Sequence, residues 1–220
     1  MKIKEVISNW KFILLGLGIL GFHILTIRII SSLPNFEGNN LVIGAVLWGG
    51  MSIVSLWIAW KLGLFSSDKK WGFLGAVGFV GIGFIILFGI KLLGGQILML
   101  EQGGGQTTVN QSALQNSGLP ALLLFIFVVL LAPTIEELLF RGILMGKVFG
   151  KDSIVGLLLS SFLFGLSHTP TNIGSWVIYG GMGLVLGLIY RFSGKFSYAI
   201  ALHFINNLLS FGIMLLLQQV

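Results

Sequence analysis

Seven long apolar runs dominate the sequence and leave few folds open to it. They cover residues 12–30, 41–60, 72–100, 119–145, 153–167, 173–190 and 196–217. About 20 apolar residues in a helix match the hydrocarbon thickness of a bilayer. The runs are continuous rather than alternating, which excludes the membrane β-barrel. Only 9% of residues are charged, against about 25% in a soluble domain. A soluble fold could not hide so much apolar surface. The expected fold is therefore all-α, a polytopic membrane helix bundle of about seven transmembrane spans. We divide it into residues 1–118, with three spans and an outer loop, and 119–220, with four spans.

Loop charges orient the bundle. Lys2, Lys4 and Lys11 precede the first run, and Lys61, Lys69 and Lys70 follow the second. Lys147 and Lys151 follow the fourth, and Arg191 and Lys195 the sixth. The loops 31–40, 101–118 and 168–172 contain no Lys or Arg. The positive-inside rule then puts the N-terminus in the cytosol. Arg28 and Lys91 fall near outer ends, where they are expected to snorkel outward. The first run is long for a signal peptide and lacks a small-x-small cleavage pattern, so it reads as an uncleaved span. The net charge of +6 is accounted for by this orientation, and no nucleic-acid partner is expected. The absence of cysteine excludes disulfides and thiol catalysis. Gly142, Gly146 and Gly150, and likewise Gly183 and Gly187, are spaced by four, as close helix contact in lipid requires. Gly103, Gly104 and Gly105 read as a flexible outer loop.

Inside the fourth run stand Glu136, Glu137 and Arg141. A charge at mid-bilayer costs about 2.5–3.5 kcal/mol on insertion scales, so such residues read first as functional. Glu137 and Arg141 are four apart with the glutamate first, the better order for an intrahelical pair. Glu136 is rotated about 100° from Glu137. Arg141 thus compensates Glu137 and leaves Glu136 to face other polar groups. Those groups are His168, at the end of the fifth run, and His203 and Asn207, four apart on one face of the seventh. Glu136 precedes Lys151 by 15 residues and His168 follows it by 17, so antiparallel helices bring the two level. His203 is only nine residues beyond Gly194, which places it shallower at about 1.5 Å per residue. Plainer readings exist. Thr134 and Glu137 fit a capping box at a helix restart. The whole set could be an interhelical hydrogen-bond network. His23, without polar neighbours in sequence, reads as a packing residue.

These motifs carry a family resemblance. Glu136-Glu137-Leu138-Leu139-Phe140-Arg141, Phe164 to His168, and His203 to Asn207 stand in this order. Together they resemble the pattern of the CAAX protease and bacteriocin-processing family of intramembrane endopeptidases, similar to type II CAAX prenyl proteases. The resemblance covers roughly residues 119–217. It implies a membrane core with a cavity open toward the cytosol. It implies that a glutamate and a histidine, Glu136 and His168, activate water, while His203 and Asn207 bind the oxyanion. Glu137 and Arg141 are then supporting residues. No cofactor or metal is implied. The partners expected are the lipid bilayer and a membrane-associated peptide or protein substrate, in a bacterial cell membrane. Two other readings compete. Glu136, His168 and His203 could bind zinc, with one position open, although His-Glu-x-x-His is absent. A non-catalytic transporter or bacteriocin-immunity protein is the other; the chain shows neither the repeats expected of a transporter nor a lost motif residue.

The charge map is testable. Single cysteines at Lys69 and Gln102 should label from opposite faces with an impermeant thiol reagent. Labelling of both from one face would refute it.

Overall fold

The computed structural model describes residues 9–103 and 107–217. Every regular element among them is helical. In chain order they are α1 (Trp10–Ser31), α2 (Gly38–Lys61), α3 (Phe73–Gln102), the short α4 (Val109–Gln115), α5 (Ala121–Val148), α6 (Ile154–Ser167), α7 (Ile173–Ser193) and α8 (Phe196–Leu217). Each apolar run has become a helix, with ends within a few residues of those expected. Six are long and apolar enough to cross a membrane; α6, at 14 residues, is shorter. The linker 101–118 differs from expectation. It is not loop throughout, because Thr108 caps α4 by accepting from the Gln111 N–H at 3.2 Å. Gly103 ends α3 in the left-handed conformation, and Gly104 and Gly105 lie outside the described residues.

Leu17, Phe22, Ile85, Phe88 and Leu216 are exposed on the outer helices. A water-soluble protein does not tolerate such a belt, whereas lipid solvates it. The centre belongs to α5, whose Leu123, Val129, Leu131, Ile135, Leu138 and Met145 are buried.

α5 is not a regular α-helix. Residues 125–131 and 138–148 take wider π-type turns, seen in the Ala132 N–H donating to the Phe127 carbonyl and the Phe149 N–H to that of Leu144. Pro133 contributes to this. It has no N–H, so a carbonyl one wide turn earlier, that of Val128, loses its partner. Nor does the helix restart at a capping box. Thr134 Oγ1 instead donates back to the Leu130 and Leu131 carbonyls, both at 2.9 Å.

Small residues let α7 sit close to α3 and α6. A Cβ on Gly174 would lie 2.8 Å from the Gly94 carbonyl oxygen of α3, and one on Gly183 2.8 Å from the Ser161 carbonyl oxygen of α6. Gly142, Gly146 and Gly187 are similarly crowded, but Gly150 stands in a turn at φ +84 with open space around it. Polar contacts pin the two ends. At one end Asn9 Nδ2 donates to the Val148 carbonyl and Trp71 Nε1 to that of Ser193. At the other, the Glu101 carboxylate accepts from the Ile173 and Gly174 N–H groups, capping α7 from outside.

Gly183→Ala should therefore destabilise the protein by about 1–3 kcal/mol, the usual cost of overpacking. Gly78→Ala, with nothing within 4 Å of the new methyl, should not. Melting temperatures of the two variants in detergent check this.

Candidate active site

Residues from four helices meet beside α5. Glu137 is fully buried on α5. Its Oε1 accepts from Arg141 Nη1 at 3.2 Å, as the four-residue spacing required. The same oxygen is 2.9 Å from His203 Nδ1 of α8, a contact that the spacing did not reveal. Arg141, also fully buried, donates from Nη2 to the Gly183 carbonyl of α7 at 2.6 Å. Its guanidinium lies 4.5 Å from the centre of the Phe164 ring of α6. One ion pair thus ties together α5, α7 and α8 and rests on α6.

Glu136 faces elsewhere, as the 100° rotation demands. Its Oε2 lies 3.9 Å from His168 Nε2 and 3.8 Å from His203 Nε2 and has no hydrogen-bond partner within the protein. Two bonds set the tautomers of the rings. His168 Nδ1 is 2.8 Å from the Phe164 carbonyl, which can only accept, so Nδ1 carries the proton. His203 Nδ1 likewise faces a carboxylate. In either neutral ring Nε2 therefore presents a lone pair toward Glu136. A neutral His203 thus spends its one N–H on Glu137, and only the doubly protonated ring offers an Nε2–H.

Asn207 shares the α8 face with His203, one turn away. Its Nδ2 donates to the Val128 carbonyl at 2.9 Å, the group that Pro133 leaves without a partner. Its Oδ1 accepts from Asn206 Nδ2 at 2.9 Å. One Nδ2–H remains uncommitted. His203 and Glu136 are level despite their different residue distances from the turns. Wide turns climb less per residue, and eleven residues between Glu136 and the α5–α6 turn are in them.

Glu136, His168, Asn206 and Asn207 line a cavity of ≈ 650 Å³. Thr107, Thr108, Asn110 and Gln111 of the linker and Tyr179 of α7 line it too. Tyr179 stacks on His168 with ring centres 4.4 Å apart and bonds Thr108 through its hydroxyl at 2.7 Å. Sequence reading missed Tyr179 and Asn206; a tyrosine and a second amide within spans were the available signals. It also misplaced Lys91, whose Nζ donates inward to Ser210 Oγ at 2.9 Å on the cavity wall rather than snorkelling out. His23, stacked near Phe127, borders the cavity without a polar partner for its Nδ1.

Comparison with known proteins follows the motifs. Residues 118–209 match the family described as type II CAAX prenyl endopeptidase Rce1-like. The match covers less than half of the chain. UPF0177 protein YvdC of Lactococcus lactis is 30% identical over 138 residues, covering 62% of this chain and 52% of that protein. Membrane-embedded CAAX protease MroQ of Staphylococcus aureus is 24% identical over 133 residues, 57% of this chain and 53% of that protein. The chain thus spans about half the length of either relative. No solved structure matches. Six spans and a membrane-embedded bacterial relative make this a multi-pass bacterial membrane protein.

Glu137→Gln should lower the yield of folded protein. It strands the buried guanidinium of Arg141, at a cost of about 3–5 kcal/mol. Glu136→Gln, which breaks no ion pair with Arg141, should leave yield and melting temperature close to wild type. Equal yields of the two variants would refute this division.

Proposed function

We propose that the protein is an intramembrane endopeptidase of the glutamic type, acting on a membrane-associated peptide or protein. The observation that supports this reading is the convergence of Glu136 Oε2 with the Nε2 atoms of His168, which lines the cavity with it, and of His203, buried just behind that wall. Separations of 3.8 and 3.9 Å suit a water held among the three groups. Glu136 takes a proton from that water as its oxygen attacks the scissile carbonyl carbon. The His168 lone pair accepts the second O–H and aligns the attacking oxygen. The carbonyl electron pair moves onto oxygen, where the free Nδ2–H of Asn207 and an Nε2–H of doubly protonated His203 receive it. When the C–N bond breaks, Glu136 returns its proton to the leaving nitrogen. Glu137 holds His203 in the required orientation, as the acidic member of a hydrolase triad holds its histidine. A cavity of ≈ 650 Å³ admits a short peptide segment, not a folded domain. The family match and the naming of one relative as a CAAX protease agree with peptide hydrolysis.

A zinc enzyme is the second reading, favoured by the same convergence of lone pairs. Ligands about 2.0–2.1 Å from tetrahedral zinc stand roughly 3.3 Å apart, closer than these groups. Among the described residues no set of three His, Asp or Glu side chains is arranged for a metal.

Membrane peptides from cells carrying wild type and Glu136→Gln should differ by at least one that accumulates uncut in the variant, with protein level unchanged. With that peptide and purified protein, Asn207→Ala should lower turnover about 100–1000-fold, and a chelator should have no effect. Wild-type cleavage by Glu136→Gln would refute the assignment. Loss on chelation that zinc alone restores would transfer the site to the metal reading.

A further inference from the structure

Lys91 has no evident place in the chemistry above, yet its ammonium lies within the helical bundle on the wall of the same cavity. It is partly buried on α3, eleven residues before the helix ends. Among the described residues it makes no ion pair with a carboxylate. Its one side-chain bond is to Ser210 Oγ, at 2.9 Å. Ser210 in turn donates to the Asn206 carbonyl at 2.9 Å, so its hydroxyl accepts from Lys91 and cannot neutralise it. An ammonium carries three N–H groups, and two remain for a ligand. Unpaired cations at membrane depth are costly and mark substrate or ion paths.

Placement on α8 relates this cation to the proposed chemistry. Ser210 follows His203 by seven residues, two turns or about 10 Å along the helix. Asn207 lies between them. A peptide in the cavity would thus meet the hydrolytic groups at one point and a fixed positive charge two turns away.

We propose that Lys91 is a substrate-binding residue that receives a carboxylate of the bound peptide, supplied by an acidic side chain or a free chain end. The proposal rests on the peptidase reading, since it makes a peptide the occupant of the cavity. Lys91 and Ser210 form an anion subsite on otherwise largely apolar walls, which include Ile178 and Leu98. A buried ammonium pairs with a carboxylate much better than with a neutral amide. The site therefore selects peptides by charge at that point and places the chain relative to Glu136.

Binding tests this apart from catalysis. The Glu136→Gln protein in nanodiscs is titrated with three fluorescent Leu/Ala peptides of equal length. One ends in a free carboxylate; one is amidated; one is amidated with a single internal glutamate. At least one carboxylate peptide should bind about 10–100-fold tighter than the neutral amide, the range for a hydrogen bond to a charged group. Which peptide gains identifies the source of the carboxylate. Adding Lys91→Met should abolish the difference, and Lys91→Arg should keep part of it. Equal binding of all three peptides overturns the proposal without needing a Lys91 variant. So does a preference that survives Lys91→Met, or peptides that bind alike while phosphatidylglycerol competes only when Lys91 is present; the latter would assign the cation to a lipid. Because no turnover is read, this preference, seen while the wild-type protein leaves every membrane peptide uncut, retains the subsite and rejects the peptidase.

Discussion

The buried carboxylate of Glu137 is the constraint on which the other contacts depend. A charge removed from water must be paired, and here two groups share one oxygen. Arg141 comes from its own helix one turn on, and His203 from α8. Arg141 extends the connection to α7 through the Gly183 carbonyl. That bond needs α7 close to α5, while the glycine also lets α7 approach the Ser161 carbonyl of α6. Replacing the set by apolar side chains could give an equally stable bundle. It would not fix the ring of His203, nor set its Nε2 facing Glu136.

A second constraint is Pro133. In lipid every freed backbone carbonyl needs a partner from within the protein. The Val128 carbonyl finds it in Asn207, so the defect in α5 positions an amide of α8 beside the cavity. The wide turns around it draw Glu136 closer to the α5–α6 turn than a regular helix would. Without them Glu136 and His203 would lie at different depths. Helix irregularity and site geometry are thus two consequences of one local sequence.

Much of this was legible in the sequence. Twenty-residue apolar runs dictate spans, and their helical ends follow closely. The four-residue spacing of Glu137 and Arg141, with Glu136 turned away, was also readable, because it depends on one helix only. Contacts between helices were not. Nothing in the spacing of His203 and Asn207 says that the first bonds Glu137 and the second a carbonyl of α5. Thr134 and Glu137 mimicked a capping box because local pattern cannot tell a helix start from a proline inside a continuing helix. Lys91 looked like a residue that snorkels, since its distance from the span end is known from sequence but its rotation about α3 is set by neighbours.

The cavity also brings two expectations into conflict. Its lining includes the linker residues 107–111, His168 and the first turns of α7. All lie at the end of the bundle opposite the Lys-bearing turns, which Asn9–Val148 and Trp71–Ser193 hold together. The charge rule makes the linker end external, so peptides would reach Glu136 from the outer leaflet. The family resemblance implies entry from the cytosol. Inward rotation of Lys91 bears on this. It takes a cation away from the linker end and leaves Arg28 as the basic side chain there among the described residues. The asymmetry in basic side chains between the two ends is therefore larger in the folded bundle than a count along the chain suggests. In a protein with loops this short, that asymmetry is the main determinant of how the helices insert.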